Sequence, residues 1–131
     1  MFFWGGTNQF LNYHYVYENQ RYAYDLIIKK DAQSYKGFKN KNENYYAFNK
    51  EILAPADGRV VKILDGIKDN VPGEMNENQP EGNCVIIEHK NSEFSMLAHL
   101  KQNSILVKVG EIVNKGQVDT IAPKGGRLRY Y

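Results

Sequence analysis

The chain holds three histidines, His14, His89 and His99, and their surroundings decide which of them can do chemistry. A catalytic zinc takes three protein ligands from His, Cys, Asp or Glu and leaves a fourth position to water. His14 and Asp25 are candidates for two of these places. They lie eleven residues apart, so on one continuous strand they would face opposite ways. Across a hairpin turning near Asn19 they come within a residue of lying opposite each other. Asp25 stands among Tyr24, Leu26 and Ile27, where a carboxylate must pair, hydrogen-bond or bind a metal to offset its desolvation. His14, set among tyrosines, reads by itself more as half-buried strand packing than as a ligand. His99, in Met96-Leu97-Ala98-His99-Leu100, falls at the end of a strand, where catalytic groups can project. His89, ahead of Lys90-Asn91-Ser92, is expected to be exposed at the mouth of a hairpin.

The elements that would have to position these residues are strands. Ten tyrosines, six phenylalanines and short Val/Ile runs punctuated by Gly, Asn and Pro predict an all-β chain. Tyr13-His14-Tyr15-Val16-Tyr17 and the run from Arg21 to Ile28 flank Glu18-Asn19-Gln20, good turn material, which predicts a first hairpin. Residues 29–50 are rich in Lys, Asn and Tyr without periodicity and predict an irregular excursion, with a short helix near Tyr45-Tyr46. In the run from Leu53 to Ile63, Pro55 and Gly58 bend the chain into a strand.

A polar loop from Asp65 to Asn83 follows, carrying five acidic residues. Calcium takes several carboxylate oxygens, but the spacing is not that of an EF-hand, and a solvated loop beside a groove is the better reading. Val85 to His89 and Phe94 to Leu100, joined by Lys90-Asn91-Ser92-Glu93, predict a second hairpin. Gly110 and Gly116 then punctuate short apolar runs at corners typical of small β-sandwiches and barrels.

The totals narrow the field. A chain of 131 residues fits one domain and buries enough apolar surface to fold without staples. A net charge of +2 is far from the dense basic field that a nucleic-acid partner demands, so no nucleic acid is expected. Cys84 has no partner for an internal disulfide and, beside Val85-Ile86-Ile87, reads as a small buried thiol. No run approaches the ~20 apolar residues of a membrane span. The first residues lack the basic and apolar regions of an export signal, which leaves a cytoplasmic protein or a piece of a longer precursor.

Several segments, in order, resemble one family. Asn12-Tyr13-His14, Gln20-Arg21-Tyr22-Ala23-Tyr24-Asp25, Ile52 to Val60, Asp69 to Asn76, Gly82-Asn83 with Val85-Ile86-Ile87-Glu88-His89, Ala98-His99-Leu100, and Val109-Gly110 to Gly116-Gln117 together resemble the lysostaphin-type (LytM-like) zinc metalloendopeptidases over roughly residues 4–118. The resemblance implies an antiparallel β-sandwich or folded-over barrel, a zinc cofactor, and as substrate the peptide cross-links of bacterial cell wall (peptidoglycan). It implies His14 and Asp25 as metal ligands. It also implies His99 as the catalytic histidine that stabilises the oxyanion and orients the attacking water.

The expected departure is at the end, and the domain is read as truncated or divergent after about residue 118. The family continues through a glycine-rich turn to His-Leu-His, whose second histidine is the third zinc ligand, whereas no histidine follows His99 here. Arg127-Leu128-Arg129-Tyr130 has the shape of that motif with arginine in both histidine places. A guanidinium stays protonated and offers a metal no lone pair, so activity is expected to be impaired or lost. The alternative is a non-catalytic peptide- or wall-binding or regulatory domain. Biotinyl or lipoyl carriers, which the glycine corners also resemble, need a modified lysine at a hairpin tip, and none is evident.

Overall fold

The computed structural model describes residues 2–4, 24–69, 71, 77–79, 81–121 and 127–130. For 2–4, 24–26, 118–121 and 127–130 it describes the strand and its register. The expectation of an all-β chain holds. Among the described residues there are nine strands, β1 (Phe2–Trp4), β2 (Tyr24–Ile27), β3 (Glu51–Leu53), β4 (Gly58–Leu64), β5 (Asn83–Glu88), β6 (Phe94–Leu100), β7 (Ile112–Val113), β8 (Val118–Ile121) and β9 (Arg127–Tyr130), with turns and two single-turn 3-10 helices at Asn42–Asn44 and Lys90–Ser92.

Seven strands form one antiparallel sheet in the order β1-β2-β9-β6-β5-β4-β7, and β3 pairs with β8 in a second, two-stranded sheet. Among the described residues the large sheet ends at β1 on one side and β7 on the other and is not closed into a barrel. Its centre is built by distant parts of the chain, since β9 inserts between β2 and β6.

The core lies where the two sheets meet. Ile52 and Ala54, at β3, pack with Val60 of β4, Val85 and Ile87 of β5, Leu97 and Leu100 of β6, and Val113 of β7. The alternation of these positions with exposed Arg59, Glu88 and Ile112 is what a half-buried antiparallel sheet requires. Burying each such Val, Leu or Ile side chain contributes about 1.5–3 kcal/mol.

The hairpin β5–β6 turns through residues 89–93 as its sequence predicts. Asn91 and Ser92 take left-handed backbone at φ 61° and 56°, a region in which asparagine is enriched. The excursion between β2 and β3 folds on itself through a bridge from Tyr35 to Tyr45, and its 3-10 turn falls just before Tyr45-Tyr46.

The two glycine corners are one device used twice. In residues 108–111 Glu111 N donates to Lys108 O (3.1 Å) and in residues 114–117 Gln117 N donates to Asn114 O (2.9 Å). Gly110 and Gly116 take the third place of each turn at φ +88° and +85°, which a type II turn demands. The fourth residue of each then reaches back: Glu111 Oε2 accepts from Lys108 N at 2.9 Å and Gln117 Oε1 from Asn114 N at 3.2 Å.

Candidate functional site

Of the residues that the sequence singles out, Asp25 lies on β2 and His99 on β6, with β9 between them. The register is specific: Asp25 pairs with Arg129, and Arg129 in turn pairs with Ala98. Three strands thus present Asp25, Arg129 and Ala98 in one row, and His99 is the next residue along β6. Two strand spacings of ~4.8 Å put the Cα atoms of Asp25 and Ala98 roughly 10 Å apart. His14 and the strand expected at 13–17 lie outside the described residues. At Asp25 and Leu26 the two edges of β2 are taken by β1 and β9.

His99 is set by a break in the ladder. Leu100 pairs with Asn83 and Leu97 with Val85, so Ala98 and His99 share the place opposite Cys84. An extra residue of this kind is a β-bulge, which re-aims side chains. His99 absorbs it with φ +63°, and its backbone N–H leaves the ladder to donate to Glu81 O at 2.9 Å. The side chain is half-buried.

Asn83, paired with Leu100 beside the bulge, is fully buried and makes three hydrogen bonds through its amide. Its Oδ1 accepts from Ile67 N at 2.8 Å, and its Nδ2 donates to Ile67 O at 2.8 Å and Leu100 O at 3.1 Å. A buried amide left without partners costs about 1–3 kcal/mol per group, and here the loop and β6 supply them. The acidic loop is tied down by carboxylates facing backbone N–H groups. Asp65 Oδ1 accepts from Gly66 N at 2.7 Å and Asn103 N at 2.8 Å, and Asp69 Oδ1 from Gln102 N at 2.9 Å. These bonds fasten the loop to the segment after β6.

His89 corrects the expectation of an exposed residue. It is half-buried, and both ring nitrogens are engaged, Nδ1 with Asp57 O at 2.8 Å and Nε2 with Ser95 Oγ at 2.7 Å. A carbonyl can only accept, so Nδ1 carries the proton and in the neutral ring Nε2 accepts from the Ser95 hydroxyl. Asp57 also accepts from Lys115 N at 2.7 Å through its carboxylate. His89 therefore staples the β5–β6 turn to the bend before β4. Gly58 completes the joint, since a Cβ there would lie 2.6 Å from Ile87 Cγ2 and 2.9 Å from His89 Nδ1 and would strike the Glu88 carbonyl.

Among the described residues no group of three His, Cys, Asp or Glu could hold a metal ion. No described helix is long and apolar enough to cross a membrane.

An all-β antiparallel domain with an open central sheet and an Asp–Arg–Ala row crossing it is the class that fold and register define. The model of peptidase family M23 matches residues 40–126, about two thirds of the chain, and the chain belongs to that family. Membership places it among hydrolases with a peptidase-like function. No curated protein was found to be similar to it.

Proposed function

We propose that this chain is a single M23 domain directed at peptide cross-links of bacterial cell wall, in which zinc-dependent hydrolysis is impaired or lost. The reading rests on one observation, the register that sets Arg129 between Asp25 and Ala98. Arg127-Leu128-Arg129 resembles in shape the family's His-x-His motif, in which the place of Arg129 would belong to the third zinc ligand. Arginine has no lone pair to give and brings a positive charge. His14 and Asp25 remain as two oxygen and nitrogen donors where three are needed, so the donor set does not fit a catalytic zinc. What such a domain keeps is a surface for peptide, with His99 on its bulge beside the row. The second reading, a non-catalytic peptide- or wall-binding domain, is favoured by the same arginine.

Turnover separates the two states. Purified protein with zinc, incubated with peptidoglycan or short Gly- and Ala-containing peptides, is expected to show little cleavage. Arg127→His/Arg129→His is expected to gain it, because a positioned catalytic group typically contributes 10²–10⁴-fold. Equal rates for the two proteins would sink the assignment of Arg129.

A further inference from the structure

The net charge of +2 hides a segregation. Residues 29–50 hold six lysines against Asp31 and Glu43, a net +4, so the rest of the chain carries −2. The same segment holds five aromatic residues between Tyr35 and Phe48, and the structure combines the two sets. Lys30 Nζ stands 5.0 Å from the centre of the Tyr46 ring, and Lys41 Nζ 5.9 Å from that of Phe38. Lys101, arriving from the end of β6, stands 5.2 Å from the centre of the Phe48 ring and donates to Asn49 Oδ1 at 2.8 Å.

Rings fix the rings in turn. Tyr35 and Tyr45 pack at 5.3 Å, and the Tyr45 hydroxyl donates to Lys39 O at 2.8 Å. A free lysine side chain loses up to about 2 kcal/mol of rotamer entropy when it is immobilised on a ligand. Ammonium groups already resting on ring faces have lost part of that freedom before any ligand arrives, while each keeps donors for an anion. Lys30, Lys36, Lys39 and Lys41 are all exposed.

From this arrangement we propose that the lobe between β2 and β3 binds a linear polyanion, held by charge density. The chemistry of the cations argues for density over group shape. The segment contains no arginine, hence no planar fork for reading a carboxylate or phosphate bidentately, and lysine acts as a compact point charge. Base stacking is disfavoured as the mode of binding, because three of the rings carry an ammonium on one face and Tyr35 and Tyr45 pack against each other, tilted at 43°. The polyanion is therefore of the polyphosphate kind.

The probe is inorganic polyphosphate, titrated into the whole protein across a range of salt concentrations. Binding is expected, with an association constant that falls linearly with salt on a logarithmic plot. Lys30→Gln/Lys36→Gln/Lys39→Gln/Lys41→Gln is expected to lower that slope by about 1 per lysine. Lys62→Gln/Lys68→Gln/Lys90→Gln/Lys108→Gln, which removes the same charge elsewhere, is expected to leave most of the binding in place. Absence of salt-sensitive binding by the unaltered protein overturns the proposal, and so does an equal loss in the two variants. Tighter binding of single-stranded DNA than of polyphosphate, lost with Phe38→Ala, also overturns it and makes the partner a nucleic acid read by stacking. Circular dichroism on each variant separates loss of binding from loss of fold, and the unaltered protein's result stands without any variant.

Discussion

Gly58 opens β4 and Gly66 lies in the loop after it, and the surroundings give them different reasons to be there. Gly66 has φ +84° with nothing near a Cβ, whereas the Cβ of an alanine at Gly58 would have to push back Ile87, His89 and the Glu88 carbonyl. Gly66→Ala should therefore cost about 1–2 kcal/mol, the strain of left-handed backbone. Gly58→Ala should cost about 3 kcal/mol through overpacking against β5. Urea unfolding of the two variants checks the order, and a Gly58→Ala midpoint no lower than that of Gly66→Ala would contradict it.

Cys84 makes a second point at this scale. Burial pushes its thiol above the ordinary value, with Glu81 adding to the shift while Lys62 and the Leu64 backbone oppose it. A proton held more tightly in the folded state stabilises fully below the ordinary value of 9.0 and is lost as pH rises beyond it. Stability should fall across the alkaline range, and less steeply in Cys84→Ala. Parallel pH profiles for the two proteins would count against burial as the cause.

Among the elements, the loop after β4 and the bulge in β6 depend on one buried amide. Asn83→Ala would leave Ile67 and Leu100 backbone groups without the partners they have now, at about 1–3 kcal/mol for each one that water does not reach. A loss of about 3 kcal/mol is expected, with faster amide exchange in residues 65–69. Retention of full stability would mean that water replaces the amide at no cost.

The staple formed by His89 belongs here too, because it joins the turn after β5 to the bend before β4. Neither role was legible from residue type. Asn83 follows glycine at the head of an apolar run and resembles an ordinary turn residue. His89 stands in a polar stretch where exposure is the natural reading, and its partners at Asp57 and Ser95 are fixed by β4 and β6 pairing with β5.

For the molecule as a whole, strand patterning carried the reading a long way. The β5–β6 hairpin, the bend into β4 and the glycine corners follow from alternation and turn residues, which are local properties. What local reading could not supply is the order of strands. β9 comes last in the chain but lies in mid-sheet between β2 and β6, and nothing in the local sequence around Asp25 points to Arg129 as its partner. Non-local pairing is settled by burial across the sheet, which no single segment encodes. The result gives the arginine motif a location, and it makes Arg129 the residue on which the functional account turns.

Isothermal titration of zinc into the unaltered chain and into Arg127→His/Arg129→His tests that account most directly. Weak binding is predicted for the first. For the second it should be tighter by roughly a hundredfold or more, since even the partner of a metal ligand is worth 10–100-fold in affinity. The gain should be lost again with Asp25→Ala. Sub-micromolar zinc binding by the unaltered chain, unchanged by the two histidines, would show that other residues complete a site and that Arg129 does not stand in a ligand's place.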